Sequence, residues 1–377
     1  MRRLRLVAAV CTSLSIAPAP AIAAGSYTTE KVAIQVETVA SGLEHPWGIE
    51  VLPDGAYLVT ERPGRLRLVK NGEVSKPVGG LPKIAVGGQG GLLDVALADD
   101  FEESGTVFFT YSEPGRGGTG TALAKAKLVR NGLEASLENV EVIFSMDRKT
   151  RRGQHFGSRI AIAEDGSIFF TIGDRGNGKR AQDMMDHAGA VLRINADGSI
   201  PKDNPYADGN SVLPELWSKG HRNPQGIDFD RKTNTLYAVE HGARGGDEIN
   251  QPEPAKNYGW PVISYGRHYS GAKIGVGTKA AGYEQPLFYW DPSIAPGGMA
   301  VYRGEMFPEW DGDFLVTALK DRMLVRLDRN ASGEIVGEER LLQGEYGRMR
   351  DVKAAPDGSL LVLTDEPDGV ILRITRQ

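Results

Sequence analysis

The residues of this chain best equipped for chemistry lie in short, mostly glycine-bearing stretches rather than in its apolar runs. His155, in GQHFGSR, offers an imidazole that titrates near neutral pH and could accept a proton. A lone His is more often structural, so it needs partners before it reads as a base. Arg222 and Asn223, in GHRNPQG, set a planar cation beside an amide, donors suited to a carboxylate or a quinone oxygen. Lys320 in ALKD and Arg348 and Arg350 in RMRD add further cations. Residues two apart on a strand share a face, so the two Arg could grip one anion together. EHGARGGDEIN supplies Asp247 and Glu248 as hard oxygen, and its glycines let carbonyls turn inward. That chemistry suits Ca²⁺, although no EF-hand spacing is present. Gln89, among four glycines in GGQGGLLD, reads by itself as a plain turn.

These stretches lie just before or after copies of one repeated unit. A short apolar strand, a turn rich in Asp, Gly or Asn, and a second β-branched or aromatic strand begin at Gly48, Asp94, Arg159, Gly226, Met299 and Asp351. The pairs Asp54-Gly55, Asp165-Gly166 and Asp357-Gly358 fall where a hairpin needs positive φ. The spacing leaves room for four strands per copy, which predicts an all-β fold: a six-bladed β-propeller with four-stranded antiparallel blades. Closing six blades into a ring removes long exposed sheet edges, and VAIQVETVA at 32–40 is then expected to complete the last blade. Helix is expected, weakly, only over Gln182 to Leu192. The bland alternative, a pair of β-sandwiches, divides six similar units unnaturally.

Composition narrows the classes. Arg2, Arg3 and Arg5, an apolar run over 6–16 and Ala21-Ile22-Ala23 follow the order of a cleaved signal peptide. The expectation is export to the periplasm or beyond, with residues 1–23 removed and 24–377 forming one catalytic propeller domain. Cys11, the single cysteine, falls inside that leader, so disulfide and thiolate chemistry are not expected in the remainder. The whole chain carries a net charge of −5, and losing a leader with three Arg and no acid makes the rest more negative still. No basic block speaks for nucleic acid, and no later segment has the about 18 apolar residues of a membrane span.

Taken together, GQGGLLD, TIGDRG, GHRNPQG, GGDEIN, NYGWP, ALKD and RMRDV resemble the PQQ-dependent soluble sugar dehydrogenases, in particular the periplasmic aldose sugar dehydrogenases. The likeness runs from HPWGIEVLPDG at 45 to PDGSLLVLTD at 365. It implies oxidation of aldose sugars at C1 to aldonolactones by hydride transfer to PQQ, with Ca²⁺ as second cofactor and an external electron acceptor. By the same resemblance His155 is the catalytic base and Arg222 stabilises the developing oxyanion. Gln89, Arg222, Asn223, Tyr269, Ala318, Leu319, Lys320, Arg348, Met349 and Arg350 fall at positions that hold PQQ. The carbonyls of Gly242 and Ala243 match those that bind the cofactor's calcium, while Glu248 and the Tyr258 carbonyl match a structural calcium site.

Three departures stand out. Gln154 precedes His155 where the glucose-dehydrogenase branch has an acid, Ala243 replaces the usual proline, and the loop between Tyr258 and Met299 is short compared with that of the glucose enzymes. A calcium-dependent lactonase and a non-catalytic binding propeller are the competing classes; neither needs Lys320 and the Arg pair. Monomer and homodimer are both compatible with the family.

Overall fold

The computed structural model describes residues 24–377; the leader expected over 1–23 lies outside the described residues. Six sheets form, and the first strand of each follows the repeat: Pro46–Val51, Leu92–Leu97, Ile160–Ile162, Pro224–Asp230, Pro296–Val301 and Met349–Ala354. These six strands contact one another in order and the last returns to the first, so they line a central channel. Blades 1 to 6 are numbered from these strands. Every pairing within the blades is antiparallel, as the expected six-bladed propeller requires. Among the described residues no helix is long and apolar enough to cross a membrane.

The ring closes as the repeat implied. Ala33–Leu43 pairs with Gly369–Arg376, so N-terminal chain completes blade 6, and Ala24–Thr28 adds an unforeseen fifth strand outside it. Gly55, Gly166 and Gly358 have φ of 78°, 77° and 82°, the left-handed geometry expected at the hairpin turns.

What binds the blades is a separate apolar core at each of the six junctions. Leu58 and Phe109 meet between blades 1 and 2, Phe108 and Phe170 between 2 and 3, and Phe169 and Leu236 between 3 and 4. Val239 and Phe314 continue the series between 4 and 5, Leu315 and Val362 between 5 and 6, and Val59 and Leu363 between 6 and 1. Truncating one such buried side chain to Ala typically costs about 2–5 kcal/mol. Alternation along each strand feeds both faces into these cores, since each blade packs on two neighbours.

The helix expected over Gln182 to Leu192 does not form. A 3-10 turn covers Gly178–Gln182 and strand Ala190–Ile194 follows. Between them the Asp183 and Asp186 carboxylates accept the N–H groups of Met185 and Ala188, and Gly189 has φ of 69°. These local Asp bonds outcompete the helical ones, the usual reason short polar side chains break helices.

Candidate active site

On one side of the channel lies a cavity of about 260 Å³, whose walls include Trp47, Arg62, Gln89, Asn223, Arg348 and Arg350. Each belongs to a loop or strand end at the blade margins, where backbone irregularity is tolerated. Arg350 is buried, with Nη1 donating to Gln225 Oε1 (3.0 Å) and Nη2 to Asp365 Oδ2 (2.9 Å). Its Nε is buried with no partner among the described residues. Arg348 donates to the Leu319 carbonyl (3.3 Å), and Arg62 to the Gly88 carbonyl (3.0 Å). Burial would raise Asp365, yet Arg350 and the His45 bond hold its carboxyl far below the usual carboxylate range. Three Arg against one Asp leave this lining positive, the electrostatics of an anion pocket.

His155 stands next to Phe156 of the same wall. Its backbone N–H donates to Gln89 Oε1 (2.7 Å), and its Nδ1 lies 2.6 Å from Asp174 Oδ1. Asp174 also accepts from Gly176 N (2.6 Å) and from Trp260 Nε1 (2.8 Å). Burial would raise Asp174, but the His155 and Trp260 bonds and the Arg222 charge outweigh it and keep its carboxyl low. Being ionised, Asp174 can only accept, so Nδ1 of His155 carries the hydrogen and Nε2 keeps a lone pair. Burial, helped by the positive charge of Arg222 and Arg175, lowers the imidazole's own pKa despite Asp174. At neutral pH the His155 imidazole is therefore neutral and held in one orientation.

The backbone here is strained to place that ring. His155 has φ of 54° and Ser158 of 80°, both left-handed. Gly157 (φ 64°) lets this loop press onto the second strand of blade 3: a Cβ there would meet the Gly173 nitrogen at 2.8 Å. Arg175 pins the loop from beneath, donating to the Gln154 carbonyl and to the Arg152 carbonyl (2.8 Å) with its guanidinium over the Phe156 ring.

Arg222 and Asn223 are fixed by blade 4. The Arg222 N–H donates to Glu240 Oε2 (2.6 Å), and Glu240 Oε1 meets His221 Nδ1 at 2.8 Å. The Arg222 guanidinium reaches the His241 carbonyl (3.2 Å) and lies 5.3 Å from the centre of the Trp260 ring. Asn223 Oδ1 accepts the Gly157 N–H (3.3 Å), tying this turn to the His155 loop.

The sequence model of the family described as Glucose / Sorbosone dehydrogenase matches residues 43–373. The chain belongs to that family. Aldose sugar dehydrogenase YliI of Escherichia coli (strain K12) is 38% identical over 375 residues, covering 98% of this chain and 97% of that protein. The crystal structure of the soluble aldose sugar dehydrogenase from Escherichia coli in the apo-form matches with a TM-score of 0.87 at 40% identity, covering 91% of this chain and 100% of that one. The PQQ-bound form of aldose sugar dehydrogenase from Streptomyces coelicolor matches with a TM-score of 0.74 at 26% identity, covering 95% and 100%. An enzyme of this family is a dehydrogenase, hence an oxidoreductase acting on sugars.

Within this dehydrogenase frame, the expected residues separate into groups. Gln89, Asn223, Leu319, Arg348 and Arg350 line the cavity, and His155 and Arg222 adjoin it. Lys320 sits at the exposed edge, its Nζ donating to the Ser293 carbonyl (2.6 Å). Ala318 and Met349 send their side chains into the junction cores, so any contact with a ligand is through their backbone. Tyr269 stands apart, 75% exposed in the long loop of blade 4 and outside the cavity lining.

The residues matched to calcium lie on blade 4. Glu248 shares Asn250 with Glu240, whose carboxylates accept from Asn250 Nδ2 at 3.3 and 3.0 Å. Burial and the nearby Glu240 push the Glu248 pKa up to about 8, and Asn250 Oδ1 is buried with no partner among the described residues. Two crowded carboxylates and an orphaned amide oxygen are a donor set that a hard cation would satisfy. The Tyr258 ring stacks on His221, with centroids 4.8 Å apart. Gly242 donates its N–H to Asp247 Oδ1 (2.8 Å), and Ala243 is buried beside it. Among the described residues no group of three or more His, Cys, Asp and Glu side chains is placed to hold a metal, so backbone carbonyls would have to complete any such site.

Sequence reading missed Asp174, Trp260, Arg62, Asp365 and Glu240. The signal for Asp174 was present: TIGDRG puts an acid two residues after the end of the buried strand Ile168–Ile172.

Proposed function

We propose that this chain oxidises aldose sugars at C1 to aldonolactones, using PQQ and Ca²⁺ and passing electrons to an external acceptor. The observation that carries this reading is the His155–Asp174 pair standing beside a cavity walled by Arg62, Arg348 and Arg350. The pocket fits a flat quinone carrying carboxylates. Arg350 keeps an unused Nε, Arg348 and Arg62 bring further donors, and Trp47 and Phe156 offer aromatic surface. Gln89, Asn223 and Leu319 complete that wall, with Lys320 at its edge. The Gly242 and Ala243 carbonyls would face the cofactor's calcium, and Glu248 with the Tyr258 carbonyl a second, structural ion.

The chain's own residues then have defined tasks. Nε2 of His155 takes the proton of the anomeric hydroxyl as the C1–H bond breaks and the C1–O bond becomes the lactone carbonyl. PQQ, when bound, supplies the two-electron acceptor for the C1 hydride, with Ca²⁺ as Lewis acid. Arg222, backed by Trp260 and the His241 carbonyl, holds positive charge where negative charge develops. The Arg-rich, apolar, A-x-A order of residues 1–23 supports action outside the cytoplasm.

Apoprotein reconstituted with PQQ and CaCl₂ should bleach an electron-acceptor dye when an aldose is added. Tight PQQ binding with no bleaching on a panel of aldoses would overturn the substrate class, and no PQQ binding would overturn the cofactor.

Asp174→Asn separates orientation from basicity. An amide cannot accept from His155, Gly176 and Trp260 without turning one donor onto another. Turnover should fall roughly 10- to 100-fold, the worth of one charged hydrogen bond of about 1.5–3 kcal/mol. Because the carboxylate raises the His155 pKa, its loss should also move the acidic limb of the pH profile to lower pH. An unmoved limb with unchanged turnover would show that Asp174 does not serve the base.

A further inference from the structure

One guanidinium touches the five other blades of the propeller. Arg159, immediately before the innermost strand of blade 3, is 3% exposed. Its Nε donates to the Gln225 carbonyl of blade 4 (2.6 Å). Its Nη1 meets the Asp94 carboxylate of blade 2 (3.1 Å) and the Asp351 carboxylate of blade 6 (2.9 Å). Its Nη2 donates to the carbonyls of Gly297 in blade 5 and Arg350 in blade 6, both at 3.0 Å. The guanidinium carbon lies 4.0 Å from the centre of the Trp47 ring of blade 1. Arg has five N–H donors; four make hydrogen bonds here, and the ion pair to Asp351 adds a fifth polar contact.

The surrounding strands are shaped for this one group. A Cβ on Gly48 would meet Asp94 Oδ1 at 2.5 Å, and one on Gly297 would meet the Arg350 carbonyl at 2.7 Å. Bare backbone therefore lets blades 1 and 2, and blades 5 and 6, close to within the reach of a single side chain. Arg159 also sits between two cavities of opposite character. On one side is the Arg-lined pocket, which shares Trp47, Gln225 and Arg350 with it. On the other is a cavity of about 340 Å³ whose walls carry Glu50, Asp94, Asp228, Asp351 and Lys353.

We propose that Arg159 is a positioning residue for the cofactor pocket, sealing the channel between the two cavities and fixing the Arg350 main chain and the Trp47 ring that the pocket uses. This rests on the PQQ reading above. A structural filler alone would not need a charge here, since replacing buried ion pairs by well-packed apolar groups is often neutral or stabilising. What an apolar plug cannot do is orient three carbonyls from three blades at once. Because Arg350 carries its side chain into the pocket from one of those peptides, its height above the channel floor follows Arg159.

The test compares Arg159→Met and Arg159→Lys with Arg326→Met, all in the full chain. Arg326 is equally buried and ion-paired to Asp313 and Glu339, but lies in the third strand of blade 5 away from the channel. PQQ affinity is measured by direct titration well below each protein's Tm, and amide hydrogen exchange is measured on the apoproteins. Arg159→Met should weaken PQQ about tenfold or more, the size of one lost charged hydrogen bond. It should also speed exchange in 296–301 and 349–354. Arg159→Lys, with three donors, should fall between. Arg326→Met should lower Tm yet hold PQQ affinity within about twofold. An Arg159→Met protein that binds PQQ like the parent overturns the positioning role. Should the parent itself not bind PQQ, the functional reading fails, and unchanged exchange in both segments then overturns the role of Arg159 by itself. Should Arg159→Met not fold, Arg159→Lys decides by the same two measurements.

Discussion

His155→Ala should leave PQQ bound nearly as in the parent and lower sugar oxidation by about 10²–10⁴-fold, the usual worth of a positioned general base. The binding half follows from geometry. The contacts of His155 run to Gln89 through its backbone and to Asp174 through Nδ1, and alanine keeps the first. The catalytic half follows from the tautomer, because Nε2 is an acceptor that no described residue engages. A pH signature accompanies it. Burial and the Arg222 and Arg175 charges lower the imidazole's pKa, so the base is lost only as pH falls below the ordinary His value of about 6.5. Parent turnover should therefore be flat through neutrality and decline on the acid side, and the Ala variant should lack that limb. Turnover unchanged from the parent would remove His155 from the chemistry.

The propeller was legible because its information is local. Each unit writes its innermost strand, its Asp-Gly turn and its second strand within a few tens of residues, and Gly55, Gly166 and Gly358 take up the left-handed turns that this pattern demands. Ring closure was legible for the same reason, from a β-rich segment left over at 32–40. The weak helix failed where local chemistry has two voices. The apolar pattern of 182–192 asks for a helix, while Asp183 and Asp186 cap their own chain and Arg180 clamps Asp186 (2.7 Å).

The site was legible in its donors and opaque in its pairings. Gln89, His155, Arg222, Asn223 and Arg348 stand just ahead of innermost strands and Arg350 at the start of one, where channel-facing residues must lie, so their positions follow from the repeat. Their partners do not. Arg350 binds Gln225, 125 residues away, and Arg159 reaches Arg350 across 191. No periodicity encodes which blades meet at the axis at what height. Likewise Met349 looks like a companion of its flanking arginines, yet its side chain packs in the core between blades 5 and 6. A register shift between Met349 and Asp351 breaks the simple alternation of that strand, but both arginines still line the cavity.

That convergence makes the paired replacement the strictest test of the cofactor. With Arg348 and Arg350 both changed to Ala, the cavity keeps Arg62 as its remaining lining Arg, and Asp365 loses its Arg partner and keeps His45. Charged hydrogen bonds are worth about 1.5–3 kcal/mol each, so removing two anion-holding groups should weaken PQQ by roughly 10²–10⁴-fold. The loss should not be additive. Arg350 sits on Asp365 and above Arg159, so its removal also leaves a buried carboxylate with His45 as its side-chain partner, whereas the Arg348 side chain donates to the Leu319 carbonyl. Arg350→Ala is therefore the costlier single change and the one that lowers Tm; Arg348→Ala should weaken PQQ with little effect on folding. Holoenzyme that reconstitutes from the double variant at the parent's PQQ concentration would rule out the arginines as the carboxylate grip, and the positive wall of this cavity would then need another anion.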